Sequence, residues 1–297
     1  MSNDLNAHEM VDQELVEAVK QRLDSNRKAL HDLKEVTRKL EEINGKLQES
    51  EALKSHFLSN IRNEINNPLT SIMGLSRQLA TSGGPAETTA AIGQMIYQEA
   101  FGLDFQLQNI FIAAELEAGE ASPSYALVDM SSLMRTVVDL HRHKIDQKQM
   151  IVEESFPADL SFVTDAQHLQ IVLMNLLDNA LEFCPQGSHI KLSAGMTDSG
   201  MMLSVEDSGD GIAADELVRV FDRFRQLEMG TTKSHRGHGL GLSISKALMD
   251  LMDGTISLNS EQGKGSIVEL FLPEPCVDVH MSAQDSNVFL FDEPEEF

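Results

Sequence analysis

Residues 168–183 read HLQIVLMNLLDNALEF, and the fold turns on this stretch. Its apolar residues recur at helical spacing, which predicts one helix. Asn175 and Asn179 stand four apart in it, so both carboxamides lie on one face. Downstream, MMLSVED (201–207) and SIVELFLP (266–273) alternate apolar and polar residues as strands do, whereas LGLSISKALMDLM (240–252) returns to helical spacing. Helices and alternating strands mixed between residues 123 and 273 imply an α/β sandwich within a chain of overall α+β class.

Three polar constellations fall inside that span. The first is the asparagine face itself. A carboxamide oxygen held there can serve Mg²⁺, a hard cation that takes oxygen ligands together with phosphate and water. The second, Asp207-Ser-Gly209-Asp-Gly211-Ile, follows a strand. A carboxylate there can accept a hydrogen bond from an exocyclic amine, while the glycines let the backbone approach a flat base. The third, Gly237-His-Gly239-Leu240-Gly241-Leu, opens a helix, where free N–H groups and the positive helix end suit phosphate. Each taken singly has a plain explanation as a tight turn, a flexible loop or a capped core helix. The glycine spacing fits neither the phosphate-binding P-loop nor the dinucleotide fingerprint, since GxGxG lacks a following Lys-Ser/Thr.

Upstream the texture is helical throughout. Leu33, Val36, Leu40, Ile43 and Leu47 are spaced 3, 4, 3, 4, the seam of a coiled coil. Leu15, Val19, Leu23 and Leu30 follow a less regular register. The apolar spacing continues through Leu58, Ile61, Ile65 and Ile72, which carries a helix to about Leu79, before the breakers TSGGPAETT (81–89). A second helix is expected from about Ala90 to Glu117, ended by Gly119 and Pro123. The domains are therefore a coiled-coil helix over 1–52, a helical hairpin over 53–122, the α/β domain over 123–273 and an acidic tail over 274–297.

Composition narrows the function. The chain has 297 residues and a net charge of −24, which leaves no general basic surface for nucleic acid phosphates. The tail is the most acidic segment, with seven acids and no Lys or Arg, and reads as a solvated terminus or a docking peptide built on Phe289 and Phe291. Residues 219–236 run the other way: Arg219, Arg223, Arg225, Lys233 and Arg236 outnumber Asp222 and Glu228. No apolar run is long enough to span a membrane, and two cysteines make neither a disulfide framework nor a metal motif. A cytoplasmic location is expected.

The order NLLDNA, DSGDGI, VFDRFRQ, GHGLGL and GTISLNSEQGKGS resembles the ATP-binding domain of sensor histidine kinases, within the wider group of Hsp90, MutL and gyrase ATPases. The resemblance covers about 53–273, because KSHFLSNIRNEINNPLTSI (54–72) is similar to the phosphoacceptor helix of these kinases, F-x-x-x-x-S-H-E-[LI]-R-T-P-L. It implies that Asn175 and Asn179 form the nucleotide-binding asparagine box, with Asn179 on Mg²⁺. Asp207 would hold the adenine amine, Gly209 and Gly211 would line the base, Phe221 and Phe224 would anchor a lid, and Gly237, Gly239, Leu240 and Gly241 would wrap the triphosphate. The implied cofactors are ATP and Mg²⁺. The implied partners are a second copy in a dimeric four-helix bundle, another histidine kinase in a heterodimer, and the receiver domain of a response regulator.

Two positions depart from the family. Where it carries the phosphorylated histidine this chain has Asn63, whose carboxamide nitrogen delocalises its lone pair and cannot replace imidazole as a nucleophile. Glu182 stands where the family usually has Lys, Arg or His, and a carboxylate there opposes the phosphates. What persists is Glu64 and Asn67, an E-x-x-N pair that in the family supports hydrolysis of a regulator's aspartyl phosphate by positioning water. Plain solvated polar residues are the alternative for this pair. His56 is open as a displaced acceptor or a solvent-facing histidine, and Cys184 as a redox switch or a small core residue. The expected function is a histidine-kinase-like signalling protein that binds ATP without autophosphorylating at the usual site, acting as regulator, trans kinase partner or response-regulator phosphatase. The alternative is a non-catalytic dimeric scaffold with a vestigial nucleotide site.

Overall fold

Alternation of apolar and polar residues in 189–207 and 255–273 builds the sheet around which the domain is organised. The computed structural model describes residues 22, 26–28, 30–45, 47–48, 65–81, 85–217, 219–222 and 240–275. It divides into two units, Met1–Ser59 and Asn60–Phe297. In the first unit residues 30–45 are helical, and Leu33, Val36, Leu40 and Ile43 are all exposed.

The second unit begins with a helical hairpin, α1 (residues 65–81) and α2 (Ala86–Ala118). The helix α2 starts four residues before the expected Ala90. The Pro85 carbonyl accepts from the N–H groups of Thr88 and Thr89 at 3.0 and 3.1 Å, and Glu87 meets the positive helix end. Its end is where the sequence places it. Gly119 takes the left-handed conformation, φ 70°, and its N–H reaches the carbonyls of Glu115 and Leu116.

After the hairpin come β1 (Ala126–Asp129), α3 (Met130–Leu140), α4 (Arg142–Gln147), β2 (Ile151–Ser155) and β3 (Ser161–Thr164). The long helix α5 (Ala166–Phe183) precedes β4 (His189–Thr197), β5 (Gly200–Asp207), the short α6 (Ala214–Leu217), α7 (Gly241–Leu251), β6 (Thr255–Glu261) and β7 (Gly265–Pro273). The main sheet has the order β2-β4-β5-β7-β6, antiparallel except for the parallel β2–β4 pair, while β1 and β3 form a separate antiparallel pair. Helices α3, α5 and α7 pack together, and the apolar core includes Leu169, Leu173, Leu177, Ile190, Leu192, Leu203, Leu248 and Leu270, each fully buried. The architecture is a helical N-terminal region followed by a mixed α/β domain, as the sequence implies.

An ion pair and a neutral imidazole brace α4 against α5. Lys144 pairs with Asp178, and His141 Nε2 lies 3.9 Å from the same carboxylate. Burial lowers the His141 pKa more than Asp178 and the Val137 carbonyl raise it, so the imidazole is held neutral. The Lys148 ammonium caps the C-terminal end of α5, donating to the carbonyls of Leu181, Glu182 (3.1 Å) and Cys184 (3.4 Å). Among the described residues, no helix is long and apolar enough to cross a membrane.

Candidate functional site

Helix α5 is the scaffold of the site. Asp165 caps its N-terminus, accepting from the His168 N–H at 2.9 Å, and the other carboxylate oxygen accepts from the Ser124 N–H at 2.6 Å. The chain entering the domain from the hairpin is thereby tied to the start of the helix. Burial alone would raise the Asp165 pKa, but hydrogen bonds from the His168 side chain and from the N–H groups of His168 and Ser124 outweigh it and hold the carboxyl below its ordinary value. Along the same helix Asn175 is buried and Asn179 half-buried, one turn apart on one face as their spacing requires.

Asp207 ends β5, and its Oδ1 accepts from the Gly209 N–H at 2.8 Å and from the Cys184 thiol at 3.5 Å. Burial pushes its pKa up, against the lowering effect of bonds from Gly209, Cys184 and the Ser266 backbone. Such a carboxylate is short of solvation and suited to a donor from a ligand. Gly209 presses on the end of α5: a Cβ there would lie 2.9 Å from Cys184 Sγ and 3.2 Å from the Phe183 carbonyl. Gly211 has φ +66°, and a Cβ would come within 2.1 Å of the Glu261 carbonyl, so only glycine fits this turn beside β6.

Gly241 is the first residue of α7, and a Cβ on it would sit 3.1 Å from Asn175 Oδ1. Leu240, just before it, is buried. The described parts of the three constellations therefore meet at α5, with Gly241 against Asn175 and the Asp207 turn against Phe183 and Cys184. Phe221 is half-buried with the Lys246 ammonium 5.6 Å from its ring centroid. Asn67 is exposed on α1. His56, Asn63, Glu64, Phe224, Gly237 and Gly239 lie outside the described residues.

A cavity of about 580 Å³ opens where α4 meets the end of α5. Its lining holds Glu182 and Asp210 together with Lys144 and Lys148. The acid at position 182 thus shares its surroundings with two ammonium groups, one from α4 and one from the residue that follows it, which the linear sequence does not disclose. Cys184 is buried, and burial together with the Asp207 charge pushes its pKa up to about 12. That is the state of a small core thiol, not of a reactive thiolate. Asn109 of α2 is a residue that sequence reasoning missed: it is buried, and its Oδ1 accepts from Asn175 Nδ2 at 2.9 Å. Its only sequence signal is a polar residue on an otherwise apolar helical face.

The family model of histidine kinase-, DNA gyrase B- and HSP90-like ATPases matches residues 164–275. Among curated proteins, the chain is similar to the sensor-like histidine kinase SenX3 of Mycobacterium tuberculosis, 29% identical over 223 residues, which are 75% of this chain and 54% of that one. It is also similar to the autoinducer 2 sensor kinase/phosphatase LuxQ of Vibrio parahaemolyticus, 28% identical over 233 residues, 76% of this chain and 27% of LuxQ. Among solved structures, full-length ShkA in complex with AMPPNP superposes with a TM-score of 0.52 at 26% identity, covering 75% of this chain and 46% of ShkA. The histidine kinase AdeS of Acinetobacter baumannii shares the fold, with a TM-score of 0.51 at 21% identity over 71% of this chain and 97% of that chain. The chain spans about half the length of SenX3.

Proposed function

We propose, for a chain that belongs to the sensor histidine kinase family and carries its ATPase-type domain, that the groups gathered along α5 bind ATP with Mg²⁺ in two-component signalling without autophosphorylation at the usual position. The convergence of Asp207, Asn175 and Gly241 on one helix carries this reading. It gathers an acceptor for an adenine amine, a carboxamide oxygen and a helix start for phosphate. The donor set also fits the metal. Carboxamide oxygens on α5, with Asn179 the candidate ligand, can supply one position of an Mg²⁺ held mainly by phosphate oxygens and water. Among the described residues no group of three or more His, Cys, Asp or Glu is placed to hold a metal by itself, which accords with an ion arriving with the nucleotide.

Asn63 removes the nucleophile, so the output lies elsewhere: regulation of a partner kinase, phosphorylation of a partner histidine, or dephosphorylation of a response regulator by Glu64 and Asn67. Exposure of Asn67 on α1 supports the last, because a water-positioning side chain must reach a receiver domain. A non-catalytic scaffold is favoured by one observation, the carboxylate at position 182.

Titrating the protein with ATP and Mg²⁺ while following thermal unfolding separates the two. Binding stabilises the fold by about 2.7 kcal/mol at a hundredfold excess over Kd, whereas a scaffold melts unchanged at millimolar ATP. Glu182→Lys should strengthen binding. Labelled ATP should leave no acid-labile phosphate on the chain alone; stoichiometric label lost in His56→Ala would show a displaced acceptor instead. A phosphorylated receiver domain should lose its phosphate faster with the protein present, and an acceleration equal in Asn67→Ala would remove the water-positioning role.

A further inference from the structure

The buried carboxamide of Asn175 on α5 is oriented by a residue of the hairpin. Asn109 on α2 is 8% exposed and Asn175 on α5 is 5% exposed, so neither side chain turns to water for its hydrogen bonds. The Phe105 carbonyl, one turn earlier on α2, can only accept, and it takes the Asn109 Nδ2 donor at 3.0 Å. That leaves Asn109 Oδ1 pointing at Asn175, which must answer with a donor, its Nδ2, at 2.9 Å. The Asn175 oxygen is then the end that faces Gly241, 3.1 Å from where a Cβ would stand. One backbone carbonyl thus fixes the sense of two successive amides. The acceptor end of the second is delivered to the start of α7, at Gly241, the last glycine of the motif.

We infer that Asn109 is a positioning residue for the nucleotide site, holding Asn175 with its carbonyl oxygen toward the start of α7, so that the helix end offered to phosphate keeps its place, and coupling nucleotide binding to the packing of α2. The inference rests on the ATP reading above. Without Asn109 the amide of Asn175 loses its partner, and either end can turn toward α7; an amide donor facing the N–H groups at that helix start displaces it and weakens binding. Reciprocity follows from linkage, since a nucleotide that needs the start of α7 in place must favour the bonded arrangement of Asn109.

The experiment measures affinity for AMPPNP with Mg²⁺ by calorimetry in the full chain, for wild type, Asn109→Leu and Asn109→Thr. Leu matches the side chain in size and abolishes both bonds. Thr can return a hydroxyl to the Phe105 carbonyl and accept from Asn175. The expected result is a Kd raised about tenfold in Asn109→Leu, the loss of about one hydrogen bond, with recovery of part of it in Asn109→Thr. The backbone amides of residues 105–112 should exchange more slowly in wild type when AMPPNP is added, and without that change in Asn109→Leu. Wild-type protein that binds AMPPNP while both variants bind equally well overturns the inference alone. Wild-type protein that does not bind AMPPNP overturns the nucleotide reading and this inference with it. If Asn109→Leu does not fold, Asn109→Ala, which also lacks both bonds, decides: affinity equal to wild type in that variant, with the same change in α2 exchange on binding, refutes the coupling.

Discussion

Asp207 shows how a single residue trades stability for a binding group. Its folded pKa lies above the ordinary carboxylate value because burial outweighs the bonds from Gly209, Cys184 and Ser266. A raised carboxylate pKa means the protonated form is favoured by the fold. Its contribution is therefore fully present below the unfolded value near 3.8 and is lost as pH rises through the folded one. At neutral pH the ionised group works against folding. Asp207→Asn keeps an oxygen for the Gly209 N–H and removes that charge, so the nucleotide-free protein should melt about 2 °C higher, a shift kept small because part of the carboxylate still meets water. The same change offers a donor or a weaker acceptor to the adenine amine and should abolish ATP binding. A lower melting temperature would show that the ionised carboxylate is better satisfied than its surroundings imply. Cys184, beside it, should resist alkylation in the native state. In a Cys276→Ser background, a disulfide reagent at pH 8 should modify it at least about a hundredfold more slowly than in denaturant, since burial and a pKa of about 12 leave little thiolate. Equal rates would return it to the class of redox switches.

At the scale of elements, α5 is anchored at both ends by groups that are not part of it. Asp165 binds the first turn and the incoming Ser124, and Lys148 binds the last carbonyls. Because the folded Asp165 pKa is depressed, its stabilisation is fully present above the unfolded value near 3.8 and disappears as pH falls through the folded value. Asp165→Asn remains a good N-cap but loses the charge-assisted part. Urea denaturation should show it less stable than wild type by about 1 kcal/mol at pH 6, with the gap closing as pH falls below the unfolded value near 3.8. A gap constant with pH would mean that the carboxylate charge is not what holds the helix start. The body of α5, and of β5, β7 and α7, was legible in the sequence because each is long enough to show its period: the expected strand 201–207 is Gly200–Asp207, and the expected 266–273 is Gly265–Pro273. Strands of four residues such as β1 and β3 cannot display an alternation, and α2 gained its first turn from Pro85, which reads as a breaker until its carbonyl is seen accepting. The candidate site was legible in its motifs, but Asn109 was not. A buried polar residue is explained only by its partner, and Asn175 lies on another helix.

For the whole molecule the deciding contest is between apolar seam and charge. Leu33, Val36, Leu40, Ile43 and Leu47 are between 53% and 62% exposed in the single chain, and Met73, Tyr97 and Phe111 of the hairpin are at least 60% exposed. Tracts of this kind on separate units call for a second copy to cover them. Against pairing stands the net charge of −24 on each chain, which repels its twin over distances that salt controls. Light scattering at micromolar concentration in about 0.15 M salt, where the Debye length is about 8 Å, should therefore give a dimer. At about 0.01 M salt, with a Debye length of about 30 Å, the dissociation constant should rise. Burying one leucine contributes about 1.5–3 kcal/mol, and the seam holds Leu40 twice. Leu40→Glu should then weaken the dimer by at least about a hundredfold, with the hairpin still contributing, and adding Phe111→Glu should leave a monomer. A wild-type monomer at moderate salt, or a dimer indifferent to both substitutions, would remove the homodimer from the reading and favour a partner of different sequence, whose own charge could be of the opposite sign.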